Sequence, residues 1–331
     1  MSDKKKGNGI FSFVLRLSIS MGLLFVLFKV LNIDVDKAID LLKSANRIDL
    51  MWAGIFFTAC NFIIWWRWMI IMDALGLKVG WFTAFRYHFL GLFGNLFLPS
   101  AVGGDIIKIL GLCKVCGQKP RVVASIVLDR MSGFGSIVLV ATIAFLFGYS
   151  LIGDPMLIIP IVGMIFGSVV IALILFNKKI FPFACKLFNK LPKFKEALIK
   201  MHDDFLLLKE EKVKGFQALG LSCVSQCIFA ISFFFIAKAL HADLALVYFL
   251  IFVPMIAIIS SMPSIGGVGV REAGGVFLFT KVGMASDVAF SVPFIISLFM
   301  VVIGLIGGFI YVITISSGRV QRHSQNTGTS G

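Results

Sequence analysis

The residues able to do chemistry in this chain are the charged ones placed inside otherwise apolar sequence. Asp105 and Lys108 follow a glycine pair in LPSAVGGDIIKIL, residues 98–110. Asp129 and Arg130 are adjacent in ASIVLDRMSG, residues 124–133, and Arg271 and Glu272 follow a run of glycines in MPSIGGVGVREAGG, residues 262–275. Each place therefore holds a cation and a carboxylate. Lys and Arg hold phosphate or carboxylate groups, whereas carboxylates balance those charges or carry protons. The alternative is a structural network in which Asp105, Asp129 and Glu272 neutralise Lys108, Arg130 and Arg271. Nothing points to a metal or cofactor: Cys113 and Cys116 form CKVC with no second ligand pair at suitable spacing, and the six cysteines are scattered. No G-x-x-x-x-G-K-[ST] segment for binding ATP phosphates is present.

The first and third places share a second feature. Pro99, Ser100, Gly103 and Gly104 precede Asp105; Pro263, Ser264, Gly266, Gly267 and Gly269 precede Arg271. Proline ends a helix, and glycine lets the backbone turn and approach a ligand closely. A second helix starting at such a turn presents free amides and a positive dipole, an arrangement suited to an anionic group.

These breaks sit in a chain of 331 residues that is 59% hydrophobic and 15% charged. Soluble domains carry roughly a quarter charged residues, and runs of about 20 apolar residues cross membranes. The sequence therefore predicts an all-α polytopic membrane protein. Full spans are expected near 11–31, 50–66, 122–149, 155–176, 215–240 and 288–316, preceded by a cytoplasmic N-terminus (1–10) and followed by a disordered cytoplasmic tail (317–331). The first run is too long for a signal-peptide core and lacks a cleavage site, so it reads as an uncleaved span. Two apolar regions, 81–112 and 245–284, are each split by the Pro-Ser and glycine break into arms too short to cross about 30 Å of hydrocarbon. They are expected to be re-entrant hairpins.

The formal net charge of +14 has a topological explanation in such a chain, because Lys and Arg collect in cytoplasmic loops. With Lys4–Lys6 inside, six crossings return the C-terminus to the cytoplasm. The segment 177–214 then falls inside with ten lysines against five acids, and 150–154 falls outside with no Lys or Arg. Nucleic acid is thereby disfavoured as a partner. The Phe- and Lys-rich part of 177–214 suits contact with anionic lipid at the membrane surface. Arg67 reads as an interfacial anchor, and His88 and Asn95 as residues bonded between helices or lining a cavity. Each hairpin is flanked by one full span on either side, and the two would enter from opposite faces. That is the outline of an inverted repeat, in which paired Gly/Pro-broken segments mark a transporter's binding site.

The series GNLFLPSAVGGDIIK, ASIVLDRMSG and MPSIGGVGVREAGG resembles the lysylphosphatidylglycerol synthase transmembrane-region family, flippase-like membrane proteins, over roughly residues 12–316. The resemblance implies that Pro99, Gly103, Gly104 and Asp105 match the first family motif, Asp129 and Arg130 the second, and Gly266, Gly267, Gly269, Arg271 and Glu272 the third. Lys108 stands where an arginine is expected in many relatives, which keeps the charge and loses the bidentate fork. The resemblance implies translocation of a lipid between leaflets. No segment resembles the family's soluble aminoacyl-transferase domain, so the chain is not expected to be an enzyme. The expected substrate is a phospholipid or polyprenyl-phosphate lipid in a prokaryotic cytoplasmic membrane. Arg130, Arg271 and Lys108 would hold its phosphate in a cleft that includes Ser100. Two other readings are an enzyme acting on a lipid-linked substrate, and a non-transporting partner of a separate glycosyl- or aminoacyl-transferase.

Overall fold

The computed structural model of the chain describes residues 40, 43–97, 103–148, 158, 162–163, 166–167, 211–260 and 269–327. Among these, eight long stretches are helical and none is a strand. The first half contributes α1 (Arg47–Ala74), α2 (Trp81–Phe97), α3 (Gly103–Cys116) and α4 (Lys119–Gly148). The second half contributes α5 (Lys212–Ala239), α6 (Leu246–Ile259), α7 (Val270–Thr280) and α8 (Ser286–Thr327). The expected spans 11–31 and 155–176 lie outside the described residues, apart from the isolated positions 158, 162–163 and 166–167.

Local chemistry sets the element ends. The Asn46 side chain accepts the Ile48 amide at 2.9 Å and Asp49 sits in the first turn, so α1 starts three residues before the expected span. Gly76 (φ +68°) just after α1 and Gly117 (φ +68°) just after α3 adopt the left-handed conformation that stops a helix. Helix α8 runs to Thr327 where a tail was expected from 317. That segment contains no proline, and an established helix extends at low cost.

Among the described residues, four helices are long and apolar enough to cross a membrane: 47–74, 119–148, 212–239 and 286–313. The other four have 17, 14, 14 and 11 residues. At 1.5 Å per residue these reach about 26, 21, 21 and 17 Å, short of a hydrocarbon core. They pack in antiparallel pairs. In the first pair, a Cβ on Gly104 would strike the Gly91 carbonyl oxygen, and one on Gly111 would strike the Tyr87 ring. In the second, Phe249 and Phe252 meet Phe279, and Gly274 faces Ile256 and Ile259.

The halves associate through α1 and α5. Asn46 N–H donates to the Ala239 carbonyl (2.9 Å), Ser232 Oγ to that of Ala53 (2.8 Å) and Cys60 Sγ to that of Ser225 (3.4 Å). Lys214 Nζ lies 3.0 Å from Asp73. Residue numbers rise on one helix as they fall on the other, so α1 and α5 are antiparallel. A Cβ built on Gly76 would fall 3.6 Å from Arg121 Nη1, which puts the open end of the α2–α3 hairpin at the C-terminal end of α1. The α6–α7 hairpin opens at the C-terminal end of α5. The two hairpins therefore open at opposite ends of the molecule.

Packing repeats the same exchange. Helix α2 lies on α8 of the other half, where Gly307 meets the Phe89 backbone, and α6 lies on α4, where Gly148 faces Val247. Two clusters are buried. One gathers Trp68, Ile71, Tyr87, Leu112 and Leu128, and the other joins Phe57, Phe89 and Phe145 of the first half to Phe233, Phe249, Phe252, Phe279 and Ile296 of the second. The short helices α2 and α6 are thus each packed on a long helix of the other half.

Candidate functional site

The start of α3 is built on close backbone approach. Gly104 sits against α2, and its N–H donates to Asn95 Oδ1 at 2.8 Å. Asn95 therefore joins the two arms of the hairpin. Asp105 follows in the first turn of α3, where a negative charge is favoured. Its Oδ2 accepts from Arg130 Nε, and its Oδ1 lies 3.9 Å from Lys108 Nζ. Lys108, 8% exposed, runs back across Gly91, where an added Cβ would fall 2.6 Å from its Cε. Its ammonium group stands 4.9 Å over the Trp68 ring.

Asp129 and its neighbour Arg130 engage groups on different helices. A helix turns adjacent side chains about 100° apart, and the two point to different partners. Asp129 Oδ1 accepts from Arg67 Nε at 2.7 Å, and Arg67 Nη1 donates to Ser222 Oγ at 3.0 Å. The Ser222 hydroxyl is 2.6 Å from that of Ser132. Arg67 is 5% exposed, so the interfacial-anchor reading is corrected. It joins α1, α4 and α5 within the protein. Its position at the end of an apolar run hid this, because α1 continues to Ala74 and places Arg67 two turns before its end.

At the second hairpin, Gly269 (φ +86°) takes a backbone conformation that favours glycine and starts α7. Its N–H donates to Glu272 Oε2 at 2.6 Å. Glu272 Oε1 accepts from Ser297 Oγ at 2.8 Å, and Ser297 accepts from Arg271 Nη1 at 2.8 Å. Glu272 is fully buried and therefore caps its own helix while linking it to α8. At both short helices an internal side chain already accepts a first-turn amide, so the amides at these ends are less free than the sequence implied.

Of the site residues named from sequence, Gly103, Gly104, Asp105, Lys108, Asp129 and Arg130 gather around α3 and α4. Gly269, Arg271 and Glu272 gather around α7 and α8. Pro99, Ser100, Gly266 and Gly267 lie outside the described residues. Sequence reasoning missed Arg67 as a network member, Ser222 as its hydroxyl partner with Ser132 behind it, Ser297 as the hydroxyl between Arg271 and Glu272, and Trp68 as the aromatic neighbour of Lys108. The serines carried no signal, since Ser is common on membrane helices for packing. Among the described residues no His, Cys, Asp and Glu group is arranged to hold a metal.

Apolar spanning helices, two opposed half-length hairpins and a charged network at the start of the second arm of each define a multi-pass helical membrane protein with buried polar sites. Residues 13–308 match the model of the lysylphosphatidylglycerol synthase transmembrane region, and the chain belongs to that family. It is also similar to the UPF0104 membrane protein PH1989 of Pyrococcus horikoshii. The two are 24% identical over 306 residues, covering 83% of this chain and 90% of that protein.

Proposed function

We propose that this chain is a lipid translocase of the flippase-like type. It moves a phospholipid or a polyprenyl-phosphate-linked lipid between leaflets of the cytoplasmic membrane. The two hairpins enter the membrane from opposite faces, and the head group passes along the charged networks at their starts while its tails stay in lipid. Lys108, Arg130 and Arg271 attract the phosphate; Asp105 and Asp129 hold the arginines in place. The chain is not itself an aminoacyl-transferase. Its movement of lipid is driven by a gradient or equilibrates the leaflets, since ATP-binding sequence is lacking.

The observation that carries this reading is the burial of Asp105, Lys108, Asp129 and Arg67 around the start of the second arm of a half-length hairpin. Ionisable groups at membrane depth are costly and mark substrate or ion pathways. The inverted arrangement of the hairpins supports it, because binding sites in such repeats lie at broken helices. The test is head-group accessibility in proteoliposomes, with a panel of labelled phospholipids and polyprenyl phosphates. Wild type is expected to speed movement of at least one lipid over protein-free vesicles, and Arg271→Ala is not. Folded wild type that matches empty vesicles for every lipid contradicts the proposal and favours a partner subunit of a lipid-modifying transferase.

A further inference from the structure

Among the described residues, one face of α1 stays exposed along most of its length. Ile48, Met51, Ile55, Thr58, Phe62 and Trp66 recur there at helical spacing. The N-terminal half of this face borders an apolar groove of about 450 Å³, lined by Met51, Gly54, Ile55 and Thr58 of α1 and by Phe299 and Val302 of α8. A Cβ added to Gly54 would meet nothing nearer than Phe299 Cζ, at 3.9 Å. The Thr58 hydroxyl donates to the Gly54 carbonyl at 2.8 Å, so its proton is already placed. The groove starts where the first hairpin stops: Gly304, next to the groove residue Ile303, packs on Leu96 near the end of α2. Its counterpart in the inverted arrangement is the seam between α5 and α4, and that seam is closed. There Ser132 Oγ donates to the Ala218 carbonyl at 3.3 Å, and a Cβ on Gly135 would fall 3.8 Å from Leu219. Helices α1 and α8 touch far less than α5 and α4 do, so the α1–α8 seam has room for a further apolar element.

The chain itself supplies an occupant. Residues 11–31, outside the described residues, are apolar and numerous enough for a helix that crosses a membrane. The chain that follows them arrives at the N-terminal end of α1. There Asn46 N–H donates to the Ala239 carbonyl, and His241 Nε2 lies 3.3 Å from the Ser44 carbonyl oxygen. A span ending on that side runs antiparallel to α1, and consecutive elements are usually neighbours. The other expected span outside the described residues, 155–176, instead follows Gly148, which faces Val247 and Ile251 of α6. Ser18 and Gly22 stand four apart in the first segment, as Gly54 and Thr58 do in α1, and small residues at that spacing let membrane helices approach closely. Counted back from Leu31, Gly22 and Ser18 lie about 14 and 20 Å along a helix; counted on from Arg47, Gly54 and Thr58 lie about 11 and 17 Å. Antiparallel packing therefore brings Gly22 to Gly54 and Ser18 to Thr58, each within a turn.

We propose that residues 11–31 form a membrane-crossing helix docked antiparallel to α1 in this groove, with Ser18 and Gly22 set against Gly54 and Thr58. Apolar side chains of the segment fill the space between α1 and α8. Docked there, the segment walls the end of the first hairpin off from lipid along this seam. The docking is independent of whether the chain moves lipid.

The experiment is cysteine cross-linking of the full-length chain in vesicles, with the native cysteines replaced by serine. Ser18→Cys is paired with Thr58→Cys, or with Ile55→Cys one turn away. One of these pairs is expected to form an intrachain disulfide on mild oxidation, at least about tenfold more than Ser20→Cys with the same partner, because residues 18 and 20 point to nearly opposite sides of a helix. Absence of a disulfide from both folded Ser18→Cys pairs overturns the proposal. So does a disulfide that joins two differently tagged copies, which would assign the groove to a second chain. A second measurement needs no variant: photolabelling of wild type in vesicles by a phospholipid with a diazirine in its acyl chain, with adducts mapped by mass spectrometry. Phe309, exposed on α8, is expected to be labelled, and Met51, Gly54 and Thr58 are expected to be protected. Labelling of these three as strongly as Phe309 assigns the groove to lipid tails and overturns the proposal.

Discussion

At the residue scale, the network around Asp105 and Asp129 is a set of buried charges whose partners come from other helices. Removing one member leaves the other charged in a place where water does not reach it, at a cost of about 3–5 kcal/mol. Arg67→Ala is therefore expected to lower the melting temperature sharply in fluorescence-detected size exclusion. Arg67→Ala combined with Asp129→Ala is expected to cost clearly less than the sum of the two single changes, since the double variant strands no charge. Additive losses would show that the pair is not coupled. Glu272→Ala is expected to destabilise by about 1–3 kcal/mol through loss of the Gly269 cap and the Ser297 bond. Glu272→Gln retains an acceptor for the Gly269 amide and is expected to lose less in the same melting measurement.

At the element scale, close backbone contact defines the hairpins. Gly104→Ala places a methyl group against the Gly91 carbonyl and Asn95, and the arms must separate. Gly135→Ala, on the α4 face near Leu219 at 3.8 Å, gains helix propensity at an ordinary contact distance. The expected result is a fall in melting temperature for the first, and no change or a rise of up to about 1 kcal/mol for the second. These elements were legible in the sequence where a break was chemical: Pro and Gly marked both hairpins. The long apolar runs marked the four described spans to within a few residues at most ends. What the sequence did not disclose was pairing. Asp129 and Arg130 are neighbours in the chain, yet their partners Arg67 and Asp105 lie 62 and 25 residues away. Hydrophobicity locates a helix but does not say which neighbour its polar face meets. Arg67 illustrates this, since an arginine near the end of an apolar run looks the same whether it meets lipid head groups or a buried carboxylate.

At the scale of the whole molecule, the antiparallel α1–α5 pair makes the architecture directional. In a background without the native cysteines, Ala53→Cys with Ser232→Cys is expected to cross-link on mild oxidation. Ala53→Cys with Ser222→Cys is expected not to, because ten residues of helix, about 15 Å, separate positions 222 and 232. The reverse pattern would mean parallel packing of the two halves and would remove the opposed hairpins. With that arrangement in place, α3 and α7 begin with buried residues, and the charged networks lie at those starts. On the proposed translocase reading, this arrangement offers a polar route through an otherwise apolar body.

The measurement that bears most directly on that route is the rate of head-group translocation in proteoliposomes by Arg130→Ala, set beside wild type and Gly135→Ala at matched amounts of folded protein. The account predicts that Gly135→Ala moves lipid at about the wild-type rate, while Arg130→Ala, which strips Asp105 of its guanidinium partner, slows movement at least about tenfold, the kinetic equivalent of roughly 1.4 kcal/mol. Folded Arg130→Ala that translocates as fast as wild type would contradict it.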